Sequence, residues 1–409
     1  MDLTLFAQAD PAPLSWGLRS SLSTMHFLEF AIWGVWWVVL GNYLNTLGFT
    51  RKQIGRVYAT MALGSIVAPL FMGTIADRYL ASEWVMAGSH IIGGILLFAL
   101  AKIRDPKAFY WTTLAYCLAY SPTLSLVNSI VFTHADVSHF PTIRVLGTIG
   151  WILAGLSLKL VIPVGQPMNN RPLLIAGALS IVLGIFSFVA LPHTPPTAEE
   201  GTIPFMQALE LLQEPSFAVF FGVSFVITIA LAFYFSFTAL YLEQKVGVKP
   251  RDIGPMMSIG QFVEIFFMFT LAWFVESLGM KMVLVIGMFA WALRYGLFAV
   301  GRPFPLIIAG IALHGICFDF FFAAGFMHVD NTAPKAIAAS GQALFAVLTY
   351  GLGMYIGTEA SGWLNQKLTT EETHPETGET IKVTDWRKFW LVPCIGAAAS
   401  LVLFVLLFR

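Results

Sequence analysis

Charge is what this sequence has least of. Asp, Glu, Lys and Arg together make up 11% of the 409 residues, where a soluble globular domain carries about 25%. So few charges cannot cover a water-facing surface. Hydrophobic residues at 57% and a mean hydropathy of +0.76 point to lipid as the solvent. Basic and acidic residues balance at 23 each, so no overall field recruits nucleic acid. Cysteine is scarce too. Cys117, Cys317 and Cys394 lie in apolar runs without metal-ligand spacing and read as packing residues. Residues 1–18 hold no basic segment followed by an apolar core, so no cleavable leader is expected. A Walker sequence, HExxH and GxSxG are all missing, which argues against an ATP-driven pump and the commoner intramembrane enzymes. No enzyme activity, metal or cofactor is expected.

Long apolar runs are plentiful. A spanning helix needs about 20 mostly apolar residues. At that window the chain offers twelve candidates: 22–45, 52–76, 83–102, 108–133, 141–162, 172–192, 216–243, 252–276, 280–300, 304–328, 337–363 and 387–408. Bilayer-embedded backbone has no water to bond, so helix is the only reasonable reading of these runs. The hydrophilic stretch 193–215, with Pro195, Pro196, Glu199, Glu200 and Gly201, reads as a linker followed by a short amphipathic piece. It divides the chain into an N-terminal six-helix bundle, 1–192, and a C-terminal one, 216–409. A second polar loop, 365–386, reads as a solvent-exposed hairpin or coil. The connections GTIADRYLASE (73–83) and WFVESLGMKMV (273–283) fall at the same place in each half, an echo that fits a duplicated 6+6 transporter.

Ionisable residues within spans are costly and mark functional candidates. Helix one carries His26 and Glu29, three apart on one face, with Trp33 and Trp36 continuing the stripe. Packing against neighbouring helices is the alternative for both. On helix five, Arg144, Thr148 and Trp151 stand at i, i+4 and i+7, so a cation, a hydroxyl and an aromatic face point one way. That set suits a polar, ring-bearing ligand; snorkelling or structural pairing of Arg144 is the alternative. Helix eight carries Gln261 and Glu264, three apart. Helix ten carries His314, Phe318 and Asp319, with His314 and Phe318 on one side. Glu264 and Asp319 sit among Phe, Ile and Met, where a carboxyl can be switched between protonated and ionised forms, as proton coupling requires; a structural hydrogen bond is the alternative. Weaker candidates are Ser125 and Asn128, Arg294 as a partner for a carboxylate, and Glu359, read as structural. His134, Asp136 and His139 resemble a metal cluster only superficially. The Gly-rich stretches 147–155 and 351–357 favour close helix contact.

Several stretches together resemble the nucleoside:H+ symporter family of the major facilitator superfamily. They are FLEFAIWGVWW (27–37), GTIADRYLASEWV (73–85), YSPTLSLVNSI (120–130), FPTIRVLGTIGW (140–151), MSIGQFVE (257–264), GICFDFFFAAG (315–325) and DWRKFW (385–390), in family order over nearly the whole chain. The resemblance implies an all-α membrane protein with twelve transmembrane helices in a 6+6 pseudo-symmetric major facilitator fold. It implies alternating access around a central nucleoside cavity, proton coupling, a monomer, and a multi-pass place in a bacterial inner membrane. Both termini are then cytoplasmic, although the Lys and Arg of the loops run against that orientation. By the family pattern Arg144, Thr148, Trp151, Gln261, His314 and Phe318 are expected to bind substrate. Glu264 and Asp319 are expected to couple protons, with Glu29 as an extra or replacement site.

Departures bear on the cargo. Trp151 stands where the family has Phe, His314 where it has Tyr, and Glu29 where it has Gln. The polar helix-seven residues are replaced, with Ala232 and Phe235 near those places. An aromatic-for-polar exchange leaves a ligand hydroxyl unpaired at a cost of about 1–3 kcal/mol. Proton-coupled transport therefore survives these changes better than the choice of nucleoside as cargo. A sugar derivative or another polar metabolite remains open, as does a non-transporting membrane sensor.

Overall fold

The computed structural model describes residues 14–68, 80–135, 139–195, 209–332, 341, 344–373 and 380–408. In chain order its helices are α1 (Trp16–Thr46), α2 (Arg51–Ala68), α3 (Ser82–Leu100), α4 (Pro106–His134), α5 (Phe140–Val161), α6 (Arg171–Ala190), α7 (Pro215–Val246), α8 (Pro250–Leu278), α9 (Met280–Val300), α10 (Phe304–Val329), α11 (Val347–Gly353 continuing as Met354–Lys367) and α12 (Trp386–Leu407). Ten of these are long and apolar enough to cross a bilayer. The other two, α2 and α11, occupy expected spans that run partly outside the described residues, at 69–76 and 337–340. The echoing connection at 73–83 and most of the central linker, 196–208, also lie largely outside them.

Helix starts follow local chemistry. Ser15, Asp105, Glu214 and Asp385 each accept a backbone N–H from the first turn of α1, α4, α7 and α12. Proline in the first turn after Asp105 and Glu214 costs nothing, because its missing N–H would have been unpaired there. The Ser15 cap lets α1 begin six residues before the apolar run. The loop at 365–386 is a hairpin, β1 (Thr369–Thr373) antiparallel to β2 (Thr380–Thr384), with Thr369 opposite Thr384.

Several spans are interrupted, and two of the breaks are held by a side chain from a neighbouring helix. A 3-10 turn at Trp37–Val39 divides α1. There the Tyr58 hydroxyl of α2 donates to Trp37 O (3.0 Å) and accepts from Gly41 N (2.9 Å), so the loosened backbone keeps its partners. A π-turn at Phe318–Ala323 widens α10, and Trp291 of α9 donates to the carbonyl of Cys317 just before it (3.0 Å).

Helices α1–α6 pack mainly on one another, through α1 with α5 and α6, α3 with α6, and α2 with α4. Helices α7–α12 do the same, through α9 with α12, α7 with α11 and α12, and α8 with α10. The two groups meet along two seams, α2 with α11 and α5 with α8. Glycine permits both. A Cβ on Gly55 would lie 2.6 Å from Thr358 O and 2.8 Å from Gly362 Cα; one on Gly254 would lie 2.5 Å from Gly155 O. Among the described residues, the hydrogen bonds and close ion pairs between the groups cluster at this end of the molecule. Asn42 donates to Ala239 O and Glu243, Arg51 to Gln244, and Lys52 N to Gln366. Arg56–Glu359 (3.5 Å) and Lys159–Asp252 (3.7 Å) are exposed ion pairs, worth little singly.

Candidate functional site

The stripe expected on α5 is present and faces the centre. Gly147 and Gly150 bring α5 against α1, so the Arg144 guanidinium lies 4.1 Å from the Phe30 ring centroid. Thr148 follows, half-buried, and Trp151 meets Trp33 edge-on at 5.2 Å. From α8, Glu264 is 20% exposed and interacts electrostatically with Arg144 across the gap between the two helix groups. Gln261, three residues earlier, turns a buried and unpartnered Oε1 toward the same region.

Helix α10 reaches this region because two glycines let its backbone touch α8. A Cβ on Gly315 would meet Glu264 N at 2.5 Å, and one on Gly260 would meet His314 Cβ at 2.8 Å. Phe318 is half-buried beside the His314 ring, 5.8 Å between centroids. Asp319 enters on the π-turn. It is 0% exposed, neither carboxyl oxygen has a hydrogen-bond partner, and the charge of Glu264 acts on it. A charge so placed is expensive, so the proton occupancy of Asp319 depends on whether water can reach it.

Between α1, α5, α7 and α8 lies a narrow cavity of about 10 Å³, room for a water-sized group in this arrangement, whose lining includes Gly34, Trp151, Tyr234, Phe235, Ser258 and Gln261. Aromatic walls with a few polar groups are the usual make-up of a small-molecule site. Phe235 lines it, whereas Ala232 is fully buried where α7 packs against Gly357 of α11. Ala232 is therefore a packing residue, and Tyr234 brings a hydroxyl to the α7 wall.

Two expectations are corrected by the geometry. Glu29 is not brought to Glu264 or Asp319. It is 0% exposed inside the first helix group, where Oε2 meets His90 Nε2 at 2.7 Å, Oε1 accepts from Thr123 at 2.6 Å, and its backbone carbonyl accepts from Tyr120. The 60° between positions three apart on a helix suffices to send His26 and Glu29 to different neighbours: His26 packs on Phe30 and Phe140. His314, expected at the substrate, is 3% exposed and turned to protein groups. Its Nδ1 is 3.1 Å from Arg294 Nη1, and its Nε2 is 3.8 Å from Glu264 Oε2. Arg294 meets this imidazole where a carboxylate was expected.

Among the weaker candidates, Ser125 bonds the Pro122 carbonyl and Asn128 that of Leu124, so both serve their own helix. Glu359 pairs with Arg56. His134 meets Thr194 Oγ1 at 2.9 Å, and Asp136 lies outside the described residues. No metal-holding group of three His, Cys, Asp or Glu occurs among the described residues. Sequence reasoning missed His90 and Tyr234. Each had a signal: an imidazole in an apolar span, and a phenol between the two expected polar positions of α7.

Comparison with known proteins converges on one family. The family described as Nucleoside H+ symporter matches residues 17–409. The putative nucleoside transporter YegT of Escherichia coli is 36% identical, with 95% of this chain and 93% of that protein aligned. The nucleoside permease NupG of the same organism is 32% identical over 92% of each. The crystal structure of nucleoside transporter NupG superposes with a TM-score of 0.84 at 31% identity, covering 96% of this chain and 99% of that one. The chain belongs to the nucleoside H+ symporter family.

Proposed function

We propose that this chain carries a nucleoside together with at least one proton across a bacterial inner membrane, binding the nucleoside between its two six-helix halves, 1–192 and 216–409, joined by the linker 193–215. The observation that supports the reading is the electrostatic coupling of Glu264 on α8 to Arg144 on α5 and to Asp319 on α10, with Gln261, three residues from Glu264, in the wall of an aromatic-lined cavity. One cation and two carboxyls from separate helices form a site whose charge changes with protonation and with the distance between the halves.

In this reading Arg144 and Thr148 hold polar groups of the ligand, Gln261 adds a directional hydrogen bond, and Trp151 and Phe318 stack on the ring. The hydroxyl of Tyr234 compensates on α7 for the polar residues expected and missing there. Glu264 and Asp319 take up and release the coupled proton. Glu264, 20% exposed and coupled to Arg144, is the group whose partner changes when ligand arrives. Asp319, dry and unpartnered, is the one that most needs a proton while the site is closed. The superfamily resemblance favours a monomer.

The test is uptake into liposomes holding the purified protein, with and without an imposed pH gradient, using labelled uridine and adenosine with sugars as a control panel. One pH unit is about 1.4 kcal/mol per proton, or about tenfold accumulation for one-to-one symport. Asp319→Asn should exchange nucleoside across the membrane but accumulate none. Full accumulation by that variant removes Asp319 from the coupling role. Accumulation of a sugar and of no nucleoside moves the cargo to the second class.

A further inference from the structure

Arg294 is a guanidinium on α9 that is 0% exposed and forms no ion pair with a carboxylate among the described residues. Its charge is accommodated by rings: the guanidinium carbon is 3.4 Å from the Tyr234 centroid, 5.4 Å from that of Trp291 and 5.8 Å from that of Phe298. A guanidinium stacked on ring faces away from water is held there by the attraction of the cation to the π-electrons. Tyr234 is also a wall of the cavity and is stacked on His314, 5.3 Å between centroids at 20°. Arg294 gives a hydrogen bond to His314, from Nη1 to Nδ1 at 3.1 Å, and also lies within reach of the Tyr234 hydroxyl and the Cys317 thiol.

This bond has a chemical consequence. Arginine has five N–H donors and no acceptor, and it stays charged. His314 Nδ1 must therefore accept, with its lone pair toward Arg294. The ring's own hydrogen is then on Nε2, which faces Glu264 Oε2 at 3.8 Å. A second proton could enter the ring only at Nδ1, the atom Arg294 occupies. The ionisable and charged groups around His314 are Arg294 from α9, Tyr234 from α7 and Glu264 from α8. Arg144 of α5 and Asp319 of α10 act on Glu264 in turn.

We infer that Arg294 is a positioning residue that acts through His314, holding its imidazole as a single neutral tautomer whose Nε2–H is aimed at Glu264. His314 then presents a fixed N–H toward Glu264, 3.8 Å away, and is not a carrier of the coupled proton. A proton leaving Glu264 therefore does not pass to His314; it departs on the Arg144 side or to Asp319. The inference rests on the symport reading, because it gives Glu264 the coupling task. Four of the participants, Tyr234, Arg294, His314 and Glu264, come from four helices of the second group. A closed second group thus arrives with its imidazole already oriented.

The test reads His314 directly. The full-length protein, labelled with 15N-histidine and reconstituted in lipid, is compared with Arg294→Met and His314→Gln, the latter identifying the His314 signals by difference. Wild type should show an unprotonated Nδ1 and a protonated Nε2 that stay unchanged from pH 5.5 to 8. In Arg294→Met the same signals should titrate. A wild-type ring that carries its hydrogen on Nδ1, or that titrates in this range, overturns the inference.

Transport supplies an independent readout. Gln can accept from Arg294 and donate toward Glu264, while Phe can do neither. The pH midpoint of gradient-driven uptake in His314→Gln should stay with wild type, and in His314→Phe it should be displaced by about one unit. Equal displacement in the two variants overturns the relay. Nucleoside exchange without a pH gradient is run beside each variant. If wild type itself exchanges no nucleoside, the symport reading fails, and the ring spectra still decide whether Arg294 orients His314.

Discussion

The seam between α2 and α11 gives the sharpest quantitative expectation. Replacing Gly55 by alanine adds one methyl group where the contacting atoms are backbone: Thr358 O at 2.6 Å, Gly362 Cα at 2.8 Å and Gly362 N at 3.1 Å. No flexible side-chain end can swing away, so the helices must separate by several tenths of an ångström. Overpacking of this kind costs about 1–3 kcal/mol. The cost falls only on the arrangement in which the seam is closed, because in an alternating-access cycle these helices part at this end. Between two arrangements that interconvert, 1–3 kcal/mol moves the ratio about 5- to 150-fold. Spin labels at Lys52 and Lys367, with Cys394 replaced by alanine and the buried Cys117 and Cys317 left in place, would report the separation. Wild type should be dominated by a short distance, and Gly55→Ala should gain a longer population. Gly88→Ala, whose new Cβ meets nothing within 4 Å, is the control and should change nothing. A folded Gly55→Ala protein with the wild-type distance distribution would refute the claim that this contact holds the end shut.

Other substitutions probe other parts. Arg144→Ala should weaken nucleoside binding about 10- to 100-fold, the loss of one charged hydrogen bond, measured by titration calorimetry; unaltered affinity would remove Arg144 from the ligand. Glu29→Ala should destabilise the protein by about 3–5 kcal/mol, because His90 and Thr123 lose their partner in a fully buried place. Glu29→Gln should still accumulate nucleoside; a variant that melts normally but accumulates none would put Glu29 on the proton path after all. Asp385, at the start of α12 and outside the apolar span, has its carboxyl held below the usual range by the backbone N–H and side chain of Lys388. A depressed carboxyl stabilises above its unfolded range and loses that contribution as pH falls through the folded value. Asp385→Ala should therefore speed hydrogen exchange in the first turn of α12 at neutral pH and make little difference in strong acid. Equal exchange at both would show that the cap contributes nothing.

The spans were legible because lipid imposes one solution on a long apolar run. Their ends were set locally: the Ser15 cap extended α1, and α11 runs to Lys367, a turn beyond its apolar stretch. The Arg144–Thr148–Trp151 stripe could be read because helical spacing alone decides which face three residues share. The partner of Glu29 could not, since it comes from α3 and depends on how α1 rotates against α3 and α4. Likewise, a cation in an apolar span suggests a carboxylate by charge alone. That Arg294 meets an imidazole is a product of the α9–α10 contact and of the π-turn that follows His314. Ala232 and Tyr234 show the same limit. Residues two apart on α7 fall on different sides of the helix, and only the packing of α11 shows which of them borders the cavity.

Tyr58 ties these features together mechanically. Its hydroxyl is stitched into the break of α1, and it sits one helical turn from Gly55, where α2 is pressed against α11. Just beyond the break, Asn42 grips α7. When α2 pulls away from α11, the strain reaches the joint in α1 and, through it, the hold on α7. The far doorway should therefore unlatch in one cooperative step, with half-open forms too short-lived to leak protons past an unloaded site.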